Sequence, residues 1–188
     1  RQGFAAAVAR CYAAEGTLAY APVVAWLRAR GLPALDAPFL SEVARLLPEL
    51  QASHPSLPRP GPLTEPCQRQ YFHEALARGM LTASQPLLLV IDDLQWCDQE
   101  TLDWLGYLLR YTPHAPLLVV ATVRKDEIDT RHPLMAFWLA LTRAGSRPRV
   151  WITASAWPAK ASLSSTRPTS PRATPARSRA FGTAVTGP

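Results

Sequence analysis

The fold is decided by one stretch of the chain, PLLLVIDDLQWCDQETLDWLGYLLRY, at residues 86–111. Its apolar run at 87–91 predicts a buried strand, and this strand ends on two adjacent carboxylates, Asp92 and Asp93. Asp98 follows in a loop and is the predicted N-cap of a helix. The apolar face of that helix is predicted from leucines at helical spacing, which are Leu102, Leu105, Leu108 and Leu109.

Segments on either side extend this pattern into a sheet with helices. The β-branched run LLVVATV at 117–123 predicts a second buried strand. One helix is predicted over 66–84, capped by Thr64 or Glu65, and another over 134–142. The apolar face of the first helix is predicted from Tyr71, Phe72, Leu76, Met80 and Leu81. Two strands that are apolar on both faces and joined through a helix are typical of a parallel sheet covered by helices. The sequence therefore predicts an α/β fold, a three-layer parallel sheet with helices on both faces.

Charged side chains follow both predicted strands at the point where each strand ends. Asp92 and Asp93 follow the first strand, and Arg124 follows the second. In an open α/β sheet ligands bind at the carboxyl ends of the strands, so these side chains are expected to converge on one crevice. One carboxylate there can hold Mg²⁺, a second can orient or deprotonate an attacking water, and an arginine can neutralise a transferring phosphoryl group.

The string LLLVIDDLQWCD at 87–98 resembles the Walker B motif of AAA-type P-loop ATPases, in particular the STAND class of signalling ATPases. This class includes large bacterial transcriptional regulators of the LuxR type and related cyclase and kinase proteins. Other parts of such a domain are similar, in the expected order, to RCYAAEGTLAYAPVVAWLRA (10–29), LTEPCQRQYFHEAL (63–76) and LLVVATVRKDEIDTRHPL (117–134). The resemblance covers residues 4–144.

The resemblance implies a P-loop NTPase-like fold, ATP and Mg²⁺ as cofactors, and a role for each charged residue. Asp92 would coordinate Mg²⁺ and bind the nucleotide through it. Asp93 would polarise the attacking water, and Arg124 would be the sensor 1 arginine that detects the γ-phosphate. Simpler readings stay open, since an Asp after a strand is often a turn or cap residue and Arg124 could pair with Asp126 or Glu127.

Other chemically active residue types carry weaker signals. Trp96 is expected to pack against the protein and not to stack on a base. Cys97 has no neighbouring His or Lys in the sequence and is expected to be a small filler, not a reactive thiol. The histidines share no metal-ligand spacing and are expected to be solvated or in turns; they are His54, His73, His114 and His132.

The P-loop itself is absent from the sequence. That motif needs GxxxxGK followed by Ser or Thr, and no glycine here is followed by a lysine. We therefore expect a domain that is incomplete at its N-terminus and binds ATP weakly or not at all. We also expect a gap or free edge beside the Walker B strand, where the P-loop strand would lie, and marginal stability as a result.

The composition changes abruptly toward the C-terminus. All 14 acidic residues lie within 1–129, which has a net charge of −3, whereas 130–188 contains 9 Lys and Arg and no acid. We expect a partial ATPase domain over 1–148, with its Walker B to sensor 1 region at 86–124, and a low-complexity, disordered basic tail over 149–188, in which RVWIT resembles a remnant strand. One hypothesis is a frameshift, which translation of the other two reading frames tests; the other is a basic arm that touches nucleic acid.

Several classes of protein are not expected. Three cysteines without CxxC spacing indicate neither a disulfide framework nor a zinc site, so a reducing cytoplasm is the expected location. No apolar run reaches membrane-spanning length, and without a helix-turn-helix pattern nucleic acid is not an expected partner. Two functions remain, a fragment of a regulatory ATPase that is inactive alone, or a non-catalytic scaffold that binds protein partners or itself.

Overall fold

A computed structural model of the chain describes residues 3–15, 18–31, 34–81, 85–111, 114–143, 150–154 and 182–184, the last two ranges by their backbone alone. The strands are β1 (Ala5–Arg10), β2 (Leu87–Asp92), β3 (Leu117–Val123), β4 (Val150–Ala154) and β5 (Gly182–Ala184). The helices are α1 (Ala21–Arg30), α2 (Ala37–Val43), α3 (Pro48–Ser53), α4 (Pro66–Leu81), α5 (Gln99–Tyr111) and α6 (Pro133–Arg143). None of the described helices has the length and apolar character that crossing a membrane requires.

The five strands form one sheet in the order β1, β2, β3, β4, β5. The first four are parallel, with Ala7 opposite Leu89 and Leu89 opposite Val119, and β5 is antiparallel to β4. The predicted α/β class with a parallel sheet and flanking helices is confirmed. The expected gap beside the Walker B strand is wrong, because β2 has a hydrogen-bonded neighbour on each side.

Strand β1 was not expected from the sequence. Its segment AAAVAR is rich in alanine, a residue with low β-propensity, and it lacks the β-branched run that indicated β2 and β3. The strand forms because Ala7 and Ala9 lie buried against the helices while its backbone pairs with β2. Burial and pairing outweigh the local preference here.

The core lies between the sheet and the helices that cover it. Trp26 of α1 and Trp104 of α5 are fully buried, with ring centroids 6.3 Å apart. The predicted apolar face of α4 is largely confirmed, since Phe72, Leu76 and Met80 are buried. Tyr71 was wrongly included in that face, because it is 37% exposed and stacks on Phe39 of α2.

The C-terminal region contributes β4 and β5 to the sheet. The remnant strand expected at RVWIT corresponds to β4, which pairs with β3 from Val119 opposite Val150 to Val123 opposite Ala154. The rest of the tail expected to be disordered lies outside the described residues, apart from β5.

Candidate functional site at the carboxyl ends of the strands

Four charged side chains meet where β1, β2 and β3 end. Asp92 is the last residue of β2, Asp93 follows it, and Arg124 follows β3, as the sequence predicts. Arg10 ends β1 and lies opposite Asp92 in the parallel register. The structure therefore brings the predicted site residues together and adds a second arginine to them.

Asp93 is the centre of this cluster. It is 5% exposed, and its backbone is left-handed, with φ 59° and ψ 49°, a conformation that few residues other than glycine adopt. Arg124 Nε lies 3.1 Å from Oδ1, Arg10 Nη2 lies 3.2 Å from Oδ2, and Gln95 Nε2 donates to Oδ1 over 3.2 Å. The backbone N–H of Asp93 donates to Thr122 Oγ1 over 2.9 Å.

The surroundings of Asp93 keep it ionised. Burial on its own would raise its pKa, because a carboxylate loses hydration when it leaves water. The hydrogen bonds from Gln95 and Arg10 and the charges of Arg124 and Arg10 outweigh that effect, so the pKa of Asp93 is lowered. A buried carboxylate with these partners is a negative charge at neutral pH.

Asp92 lies on the more open side of the same strand end. Its side chain is 43% exposed, its Oδ1 accepts the Thr122 hydroxyl over 2.5 Å, and Arg10 Nε lies 3.6 Å from its Oδ2. Mg²⁺ usually takes one or two carboxylates and completes its shell with water and phosphate oxygens. The accessible carboxylate of Asp92 fits one such position. Among the described residues there is no cluster of three or more His, Cys, Asp or Glu that could hold a metal.

Arg124 makes the pair with Glu127 that the sequence left open, and it also pairs with Asp93, while its role as a phosphate sensor stays a prediction. It pairs with Asp93 inside the cluster, and its Nη1 lies 3.3 Å from Glu127 Oε1. Its guanidinium also lies over the ring of Trp96, 5.0 Å from the centroid, which gives this partly exposed indole a packing role. Since the Arg124 side chain is 52% exposed, it remains accessible to an anion from solvent.

Three residues of the cluster were not among the predicted site residues. Arg10 was missed with its strand. Thr122 could have been found as the polar residue near the end of an otherwise apolar strand, LLVVATV. Gln95 lies in the string LLLVIDDLQWCD with no spacing that indicates chemistry, although it contacts Asp93, Glu127 and the backbone of Arg124.

A second polar cluster adjoins the same loop and is formed by Asp98, Thr101, Tyr20 and His73, with no ion pair among them. Asp98 caps α5 as predicted, with Oδ1 accepting the N–H of Thr101 over 2.7 Å, and it also accepts the N–H of Tyr20 over 3.0 Å. Tyr20 Oη lies 3.1 Å from His73 Nε2, and burial first, then the charge of Glu100, raises the pKa of Tyr20 to about 12. His73 is 7% exposed, so the expectation that it is solvated or in a turn is wrong.

Cys97 lies beside this cluster. A hydrogen bond with Cys11, followed by burial, raises the pKa of its thiol. A raised pKa disfavours the nucleophilic thiolate, in agreement with a packing role for this residue.

The fold and the cluster together define an α/β protein with a charged cluster at the carboxyl ends of parallel strands, which is where proteins of this architecture bind ligands. The family model of the AAA ATPase domain matches residues 1–120, and the chain belongs to that family. Members of this family generally bind ATP with Mg²⁺. No curated protein and no solved structure matches the chain.

Proposed function

We propose that the chain is part of an ATP-dependent regulatory module of the STAND type, from a LuxR-type transcriptional regulator or a related signalling protein. The observation that carries this proposal is the meeting of Asp92, Asp93 and Arg124 at the carboxyl ends of β2 and β3 in a chain of the AAA ATPase family. Carboxylates and a guanidinium at that position match the needs of phosphoryl transfer.

Each residue of the cluster has a distinct part in the proposal. Asp92 would hold Mg²⁺, which supplies charge neutralisation to the phosphate oxygens when bound. Asp93 would orient the attacking water, and Arg124 would contact the terminal phosphate. The Arg124 side chain is 52% exposed, so it would meet the phosphate from the solvent side while its Nε stays on Asp93.

Turnover by this chain alone is not part of the proposal. No GxxxxGK occurs in its 188 residues, and the triphosphate would lack the contacts that motif provides. The ATPase unit in this proposal spans residues 1–148, and β4 and β5 from the remaining segment extend its sheet.

A non-catalytic scaffold for protein partners is the second candidate. It is favoured by one observation, the saturation of Asp93 by two guanidiniums and an amide, which leaves its carboxylate satisfied without a ligand. A site completed by its own side chains needs no nucleotide to be stable.

Calorimetric titration of MgATP into the full-length chain tests the proposal. We expect binding with a dissociation constant in the millimolar range and no release of phosphate. Asp92→Ala should abolish that binding because it removes the Mg²⁺ ligand. Asp103→Ala is the matched control, since Asp103 is an exposed carboxylate of α5.

The outcomes separate the two candidates. Absence of binding by the folded wild type favours the scaffold. Binding that survives Asp92→Ala contradicts the assigned site, and phosphate release by the isolated chain contradicts the proposed inactivity.

A further inference from the structure

Gln95 is a buried polar side chain in the loop after Asp93. It lies in the 3₁₀ turn Leu94–Trp96, and it is 4% exposed. Its Nε2 donates to Asp93 Oδ1 over 3.2 Å and to Glu127 Oε2 over 3.3 Å. Its Oε1 accepts the backbone N–H of Arg124 over 3.2 Å.

These three bonds match the chemistry of a primary amide. The nitrogen has two N–H groups and faces two carboxylates, while the oxygen faces a backbone donor. Arg124 and Glu127 are separated from Gln95 by 29 and 32 positions in the chain, and both follow β3. The amide therefore bridges the end of β2 to the end of β3.

We infer that Gln95 is a positioning residue, which holds the Asp93 carboxylate in place against Arg124 at the ends of β2 and β3. It is too buried to contact a ligand and acts through the two residues that it binds. The inference rests on the proposed function, in which Asp93 orients water and Arg124 meets phosphate. Fixing their separation before a ligand arrives reduces the ordering cost of binding.

Only some contacts of the Asp93 cluster depend on Gln95. Arg10 reaches Asp93 from β1 without Gln95, and Thr122 holds the Asp93 N–H without it. The backbone N–H of Arg124, in contrast, has the Gln95 oxygen as its acceptor. Loss of the amide should therefore loosen the segment after β3 that carries Arg124 and leave the contacts of Arg10 and Thr122 with Asp93 in place.

Amide hydrogen exchange in the full-length chain, without nucleotide, tests this selectivity. Gln95→Met keeps the side-chain length and removes all three hydrogen bonds. We expect exchange at the Arg124 amide to accelerate about tenfold, because its acceptor is lost. The Cys11 amide donates to the Asp92 carbonyl over 3.0 Å on the β1 side, and it should keep its wild-type rate.

A second variant separates the two ends of the amide. Gln95→Glu keeps an acceptor for the Arg124 N–H but places a third carboxylate beside Asp93 and Glu127. We expect the Arg124 amide to stay protected while the NMR resonance of Arg124 Nε shifts, because its partner Asp93 is displaced. Gln99→Met is the matched control, since Gln99 is exposed and donates to Asp103 over 2.7 Å; it should change neither signal.

Each of these results either supports or overturns the positioning role of Gln95. Unchanged exchange at Arg124 in Gln95→Met overturns the inference, and so does equal acceleration at Cys11 and Arg124, which would indicate a general loss of stability. Should Gln95→Met not fold, an unshifted Arg124 Nε resonance in Gln95→Glu overturns it. If exchange accelerates selectively at Arg124 but the wild type does not bind MgATP, the positioning role of Gln95 is supported. Only the proposed nucleotide site is then rejected.

Discussion

Two aspartates in the loop after β2 are equally buried and are held in opposite ways. Asp93 and Asp98 are each 5% exposed. Asp98 accepts hydrogen bonds from neutral donors, the N–H groups of Tyr20 and Thr101 and the Thr101 hydroxyl, at 2.7 to 3.0 Å. Asp93 instead lies between two guanidiniums that are each about half exposed.

The difference indicates what each carboxylate does. Asp98 joins the start of α5 to the start of α1. It accepts hydrogen bonds from backbone N–H groups that would otherwise be buried without a partner. The Asp93 side chain makes no capping hydrogen bond to a helix. Its left-handed backbone is the kind of strain that is often found at functional sites. One aspartate therefore stabilises the fold, and the other assembles charge at the carboxyl ends of the strands.

Asp98→Ala should have the largest effect, lowering the free energy of unfolding by about 3 kcal/mol. The substitution removes the cap of α5 and leaves the N–H of Tyr20 buried without its acceptor. Urea unfolding followed by circular dichroism measures the loss. Asp103→Ala, on the exposed side of α5, should cost far less. A loss no greater than that of the control would break the comparison between the two aspartates.

The elements around Asp98 could be predicted from the sequence because their signals are local. The apolar run of β2, the cap residue and the leucine spacing of α5 lie within 86–111, and the structure agrees with all three. The convergence of Asp93 and Arg124 also followed, because parallel strands bring their carboxyl ends to one edge.

The rest could not be predicted because it depends on contacts between distant segments. Arg10 reaches Asp93 across 83 positions, from a strand whose alanines give no local signal. Tyr20 and His73 are 53 positions apart, and neither has a sequence neighbour that indicates a buried pair. His73 is a core residue because Tyr20, just before α1, and Tyr107 of α5 lie against its ring.

His73 should make the Asp98 side of the loop sensitive to acid. Burial lowers the pKa of His73 below its usual 6.5, with Asp103 opposing that shift and Arg69 adding to it. The unfolded chain therefore binds this proton first, and the free energy of unfolding should fall as pH drops below 6.5, levelling off below the folded-state pKa. We expect a smaller loss than that of Asp98→Ala, measured by urea unfolding at successive pH values.

His73→Gln provides the control for that titration. The free energy of unfolding of this variant should no longer fall as pH drops below 6.5. The substitution leaves the other three histidines in place. If the variant lost as much stability below pH 6.5 as the wild type, the loss would come from a group other than His73. The Asp98 side of the loop would then not owe its acid sensitivity to His73.

Asp93→Asn should have the smallest effect on stability, about 1 kcal/mol or less at neutral pH. Asparagine tolerates the left-handed backbone and keeps an oxygen for Gln95, while the two half-exposed guanidiniums can turn to water. Urea unfolding at low and high salt measures the loss, which should shrink as salt screens the ion pairs.

The response of Asp93 to acid has the opposite origin to that of His73. Its folded-state pKa is lowered, so its contribution is fully present above the unfolded value of 3.8 and is lost as pH falls through the lower folded-state pKa. Asp93→Asn has no charge to lose, so the difference between wild type and variant should disappear in strong acid. A difference that persists there would mean that the side chain acts through shape and not through charge. Asp93 would then belong with Asp98 as a residue of the fold.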